Sequence, residues 1–263
     1  MEQVKNSSIV TTASVEKKRS PSLDASLEEV RILGISEYRE AADCLAQAFG
    51  TDDVARYFFD TPDMAAYSVE YKWNLHVVIM RYVTAAHCYK GLVTTVGPNY
   101  DAVALWMRPG EHMDDILTFF RSGLWRLYYK LSSEGRARYY GEFLPLLHHT
   151  KQDVLGNRDN ESYYLVYLGT KPSARGKGYA RKLIEHGTRL ADQRGLPVYL
   201  ESSAAINVPY YSKLGFELKK QIVLQRSEKA IALDIMVREP SNAIITGTSK
   251  LKGGVMTVES SMK

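Results

Sequence analysis

Residues 164–195 limit what this chain can fold into more than any other stretch. They read as a strand, a glycine-bearing basic loop and an amphipathic helix, in that order. Residues 164–170 mix aromatic and aliphatic side chains and are bounded by Gly169 and Pro172, which predicts a mostly buried strand. From Ala180 the apolar or small positions recur at Leu183, Ile184, Gly187, Leu190 and Ala191, which is helical spacing. Arg181, Lys182, Glu185, Arg189 and Gln193 fall on the opposite face, and Gly195 with Pro197 supplies the stop. The junction is Arg175-Gly176-Lys177-Gly178-Tyr179-Ala180.

Such a junction is built to hold an anion. The start of a helix carries backbone N–H groups without intrahelical partners and the positive end of the macrodipole. Gly176 and Gly178 let phosphate oxygens approach the main chain, and Arg175 and Lys177 add charge. A P-loop would need Gly where Lys171 stands and Ser or Thr where Gly178 stands, so that reading fails. A dinucleotide fingerprint would need Gly in place of Arg181, and here the glycines do not directly follow the strand. Glu201 at a ribose-binding distance keeps this alternative open but weak.

Arg175-x-x-Gly178-x-Ala180 resembles the Arg/Gln-x-x-Gly-x-Gly/Ala loop of the GCN5-related N-acetyltransferases, the GNAT family. Further along, Leu200-Glu-Ser-Ser-Ala-Ala-Ile-Asn207-Val-Pro-Tyr-Tyr211-Ser-Lys-Leu-Gly215-Phe216 resembles the second signature of that family. The Leu-Glu-x-Ser-Ala-x-x-Asn-x-Pro-x-Tyr part is most similar to puromycin N-acetyltransferase-like members. The resemblance covers residues 162–216. It implies an α/β fold with a central mixed, mostly antiparallel, splayed sheet flanked by helices, and a helical insertion before the fourth strand. It also implies acetyl-CoA as co-substrate, with its pyrophosphate on Arg175, Gly176, Lys177, Gly178, Tyr179 and Ala180. Leu168, Gly169 and Thr170 would pair with the pantetheine arm, and one of their N–H groups could polarise the thioester. Direct attack without an acyl-enzyme is implied, in agreement with the absence of a Cys near the motifs. No metal is expected.

The remaining residues organise around that segment. Hydrophobic content of 45% and charged content of 24% match a globular chain, and a net charge of +4 is too mild to argue for nucleic acid. Cys44 and Cys88 have neither metal nor redox spacing, which favours a reducing compartment, and no run is long enough to span a membrane. Residues 1–27 read as a disordered tail, 28–239 as the catalytic domain and 240–263 as a flexible tail. Lys17-Lys18-Arg19 leaves nuclear access open in an otherwise cytoplasmic reading. A strand is predicted over 30–35, a helix capped by Ser36 through Ala48, and a short helix over 52–59. Residues 64–86 read as a long helix burying Trp73, and 92–96 and 102–107 as a hairpin across Gly97-Pro98-Asn99. Two helices are expected over 114–131 and 134–147, then a terminal hairpin over 217–225 and 230–238.

Tyr211 stands where the family places the tyrosine that serves the leaving thiolate. A free tyrosine has a pKa of about 10 and a thiol about 8.5, so full proton transfer runs uphill by roughly 2 kcal/mol. Tyr211 is therefore read as a hydrogen-bond donor to sulfur, and Tyr210 as the ring packed beneath the short helix. Asn207 is expected to cap that helix, and the family resemblance also lets its side chain touch the pantetheine. Glu201 is the candidate base, against an equal case for a structural carboxylate. His148 and His149 offer a second candidate, of which at most one can face the site. Tyr163 and Tyr167, taken to share one strand face, are candidates for the acceptor pocket or for sheet packing.

The expected activity is acetyl transfer to a primary amine of a small molecule, with no nucleic-acid or membrane partner and a homodimer left open. A protein lysine or N-terminus is the alternative acceptor, and a non-catalytic CoA-binding module the alternative function.

Overall fold

The computed structural model describes residues 29–113 and 115–241. The tail expected over 1–27, and that over 240–263 beyond residue 241, lie outside the described residues. Runs rich in aliphatic, β-branched and aromatic residues form strands β1 (Arg31–Leu33), β2 (Leu92–Val96), β3 (Ala102–Met107), β4 (Tyr163–Thr170), β5 (Val198–Ser202), β6 (Glu217–Leu224) and β7 (Ile231–Arg238). They make one sheet in the order β1-β2-β3-β4-β5-β7-β6. Only β4 and β5 run parallel; the other neighbours are antiparallel, including both expected hairpins.

The helices are α1 (Tyr38–Phe49), α2 (Asp53–Tyr57), α3 (Val69–Lys90), α4 (Ile116–Ser122), α5 (Leu144–Leu155), α6 (Tyr179–Gln193) and α7 (Val208–Ser212). Two hydrophobic cores result. Leu45, Ile79, Met80, Leu105 and Tyr199 belong to the one that holds α1 and α3. Trp106, Leu183, Ile184, Ala191 and Met236 belong to the one that holds α6. The helix α6 buries Leu183, Ile184, Gly187 and Ala191, the face its spacing predicts. A Cβ at Gly187 would lie 2.3 Å from the Trp106 ring, so only glycine lets α6 sit this close to the sheet.

The feature that positions the site is an opening between the parallel strands. β4 and β5 pair only at Tyr163↔Val198, Tyr164↔Tyr199 and Leu165↔Leu200. Beyond that point β4 stays on β3 as far as Thr170, and β5 stays on β7 as far as Ser202. The register on β3 passes from Trp106↔Leu165 to Leu105↔Tyr167, which leaves Val166 as an extra residue. Such a bulge bends and twists its strand. It turns β4 away from β5 and leaves one edge of residues 166–170 without a strand partner.

The same bulge overturns one expectation. Tyr163 and Tyr167 do not share a face: Tyr163 packs in the α6 core, while Tyr167 meets Phe49 edge-on at 5.3 Å in the other. An inserted residue reverses the inward and outward alternation. Ser36 caps nothing; Ile35–Glu37 is a 3-10 turn and α1 starts at Tyr38 without a side-chain cap. The long helix begins at Val69, where Ser68 Oγ accepts from the Tyr71 N–H at 3.1 Å. Its Trp73 is 40% exposed rather than buried. The insertion is not two helices. Gly123, in the left-handed region at φ 83°, ends α4, and single turns and a π-helical segment (Ala137–Phe143) precede α5.

Candidate active site

On one side of the opening lies the glycine loop. Gly178 is the residue before α6, with φ 76°, and no side chain caps the helix there. Gly176 has φ 82°, and a Cβ added at either glycine would meet nothing within 4 Å. Both glycines therefore owe their identity to backbone conformation, not to a steric neighbour. Arg175 and Lys177 are exposed at its rim. Tyr179 contributes only main chain, because its ring is buried in the α6 core. Leu168, Gly169 and Thr170 pair with β3 but not with β5, and Leu168 is in the cavity wall.

On the other side the sheet opens into a cavity of about 590 Å³. Its walls include Phe49, Phe58, Tyr139, Phe143 and Tyr167, from α1, the turn after α2, the π-helical segment and β4. Glu201 enters this cavity where β5 leaves β4. The Tyr164 hydroxyl donates to Glu201 Oε2 at 2.5 Å, whereas the buried Oε1 has no partner among the described residues. Burial pushes the carboxyl up to about 7, against the opposing pull of the Tyr164 and Tyr199 hydroxyls and the Lys151 ammonium. A carboxylate at a cavity wall with one oxygen held, the other buried without a partner among the described residues, and a pKa near neutrality can take a proton.

Sequence reasoning missed the groups that shape Glu201. Tyr164 is its hydrogen-bond donor. Lys151, from α5, holds Asp159 through Oδ1 at 2.5 Å and the backbone oxygen at 2.7 Å. Its Nζ also lies 5.9 Å and 6.0 Å from the ring centres of Tyr164 and Tyr199. Asp52 caps α2 by accepting from Ala55 N–H at 3.0 Å and accepts from Ser203 Oγ at 2.6 Å, tying the end of β5 to α2. Lys151 and Asp52 lie far from both motifs in the chain, and no local pattern marks them.

Tyr211 and Tyr210 exchange the environments expected of them. Tyr210 is 37% exposed, while Tyr211 is 9% exposed, with its ring 5.7 Å from Phe216. Tyr211 still lines the cavity, and burial raises its phenol well above the ordinary value. A phenol so shifted keeps its proton at neutral pH. Asn207 lines the cavity but caps nothing: it closes the 3-10 turn Ala205–Asn207, already has helical dihedrals, and its side chain makes no cap bond to α7. His148 faces the cavity rim and His149 does not. Burial raises the Cys44 thiol to about 12 and the Cys88 thiol to about 11, so neither is a ready nucleophile. Among the described residues no three or more His, Cys, Asp or Glu side chains are grouped to hold a metal ion. No helix among them is long and apolar enough to cross a membrane.

Comparison with known proteins meets this geometry at the same residues. An acetyltransferase (GNAT) domain matches residues 149–218, the span that holds β4, the glycine loop, α6, Glu201 and Tyr211. The chain is 45% identical over 204 residues to a protein of Schizosaccharomyces pombe described as an uncharacterized N-acetyltransferase, covering 78% of this chain and 80% of that one. Among solved structures it is similar to arylalkylamine N-acetyltransferase 2 from Aedes aegypti, with TM-score 0.52, 16% identity and coverage of 81% and 99% of the two chains. It is also similar to the Drosophila melanogaster polyamine N-acetyltransferase that forms N-acetylagmatine, with TM-score 0.51, 13% identity and coverage of 80% and 98%. At these identities the structural likenesses speak for the fold.

Proposed function

The chain belongs to the GNAT acetyltransferase family and is a transferase, and on that premise we propose that it moves an acetyl group from acetyl-CoA directly to the primary amine of a small molecule. One observation carries the reading: the opening between β4 and β5 has an uncapped, glycine-lined helix start on one side and Glu201, with a free buried oxygen, on the other. The loop fits a pyrophosphate because it precedes an uncapped helix start and both glycines, at positive φ, border open space. The unpaired edge of residues 166–170 fits an extended pantetheine arm pairing like a further strand.

When bound there, acetyl-CoA supplies a thioester carbon open to an amine. Glu201 Oε1 accepts the proton that the amine sheds, directly or through a water, as the N–C bond forms and the C–S bond breaks. Tyr211 donates a hydrogen bond to the departing sulfur, and an amide of residues 168–170 to the acyl oxygen. Asn207 borders the same channel. Aromatic rings in the cavity favour an amine borne on an apolar body. That agrees with the puromycin N-acetyltransferase-like pattern at residues 200–211 and with the acceptor named for the arylalkylamine enzyme, while the polyamine enzyme supports a small-molecule amine more broadly. Thiol release from acetyl-CoA, followed across arylalkylamines, polyamines and lysine peptides, tests the proposal. Turnover with small amines and none with peptides is expected; turnover restricted to peptides, or CoA binding without any transfer, overturns it.

A further inference from the structure

α3 has two working faces. Ile79, Met80 and Val83 border the cavity that holds Glu201. Val78, Arg81, Tyr82, Ala85 and Tyr89 lie on the opposite side, as a helical repeat near 100° per residue requires. There they border a second cavity of about 260 Å³, closed by Ile35, Tyr38 and Arg39 from the start of α1 and by Arg121, Ser122 and Arg126 from α4 and the turn after it.

Its charge is one-sided. Four arginines converge from three segments distant in the chain, and no Asp or Glu lines the cavity. Arg81 has one acidic partner, Asp43, at 3.0 Å, yet its buried Nε donates to nothing among the described residues. Arg39 donates to the Tyr38 hydroxyl at 3.1 Å, Arg121 lies 4.9 Å from the Tyr89 ring centre, and Arg126 lies 5.0 Å from that of Trp125. Among the described residues these last three form no ion pair. Arginines on a merely solvated helix face diverge into water. Here all four line one concavity, and Arg39, Arg121 and Arg126 each lie against an aromatic ring, which restricts the guanidinium forks before anything binds. Planar forks match the oxygens of phosphate and carboxylate groups, and several around one hollow match an ion with more than one negative charge.

We propose that this cleft binds a compact multivalent oxyanion of the phosphate or polycarboxylate class, at a site separated from the glycine loop and from the acceptor cavity. The loop is itself an anion site, so the test keeps it filled. The full chain, with millimolar CoA present, is titrated with inorganic pyrophosphate by calorimetry. One saturable site is expected, weakening with added salt. The double variant Arg121→Gln/Arg126→Gln, two exposed positions, is expected to lose affinity at least tenfold while binding CoA as the parent does. Gly178→Ala is expected to leave pyrophosphate binding unchanged. Citrate in a parallel titration identifies the class: tighter binding of either ion supports the site and names its oxyanion. Absence of saturable binding by both ions overturns the proposal, as does equal affinity in the double variant. A loss with Gly178→Ala alone would place the anion at the loop and also overturn it.

Discussion

The two sides of the β4–β5 opening are built on different principles. The side assigned to the cofactor is contiguous in the chain and made of main chain: an unpaired strand edge, two glycines with positive φ and the first turn of α6. The acceptor side is assembled from side chains on α1, α2, α3, α5, β4 and β5. Backbone recognition constrains a short sequence tightly, because glycine and helix-start positions tolerate few substitutes. A cavity of side chains needs only volume and a few polar groups, and leaves its sequence free. The first side therefore marks a family, and the second has the freedom to set a substrate.

If that division holds, Glu201→Gln acts on one side only. It should lower kcat/KM at pH 8 by about a hundredfold or more, the usual range for a removed general base, with CoA affinity unchanged. In the parent, activity should rise through pH of about 7 as the carboxyl ionises, and the variant should lose that limb. Steady-state pH profiles of both decide it; a retained limb takes Glu201 out of the base role.

Gly178→Ala probes the opposite side. An alanine at φ 76° is strained by about 1–2 kcal/mol, although its methyl would meet no described atom within 4 Å, so the effect comes through the loop conformation. CoA affinity measured by calorimetry should fall about tenfold, with the acceptor KM unmoved. Tyr211→Phe, which spans the two sides, should lower kcat by about tenfold, the order of a lost charge-assisted hydrogen bond, at constant CoA affinity.

How far the sequence could be read follows the same division. The strand, loop and helix of 164–195 were legible because strand pattern, glycine pair and helical period lie side by side, and α6 buries the predicted face. Both hairpins were legible from turn residues. The Val166 bulge was not, because an extra residue is defined only against its partner strand, and it reversed the face assigned to Tyr167. The Tyr210 and Tyr211 environments were exchanged because α7 has five residues, too short for a period to fix its phase. Lys151 and Asp52 became visible only once α5 and α2 were placed against β5.

Lys151 sharpens the comparison with a smaller effect. Glu201 faces Tyr164 on β4, Tyr199 on its own strand, Lys151 on α5, Asp159 after it and Asp52 before α2. Removing the Lys151 cation with Lys151→Met should move the acid limb of kcat/KM upward by about half to one pH unit and leave CoA affinity alone. An unmoved limb would make Lys151 a structural partner of Asp159 only.

A separate effect is on stability. The Glu201 carboxyl titrates near 7 folded against an ordinary 4.5, so the folded chain holds an extra proton between those values. Stability therefore falls as pH rises from about 4.5 to about 7, by up to about 3 kcal/mol. Thermal melts of Glu201→Gln should lie above the parent at pH 8 and converge with it near pH 4.5; parallel curves would deny the raised pKa.

The central claim is that main-chain amides on one side of the opening hold coenzyme A while side chains on the other await the amine. Amide NMR of the full chain titrated with CoA tests it most directly. The account predicts saturable shifts at Gly176, Gly178 and Ala180 and along 166–170, together with a raised melting temperature. Millimolar CoA that leaves those amides and the melting temperature unchanged would contradict it.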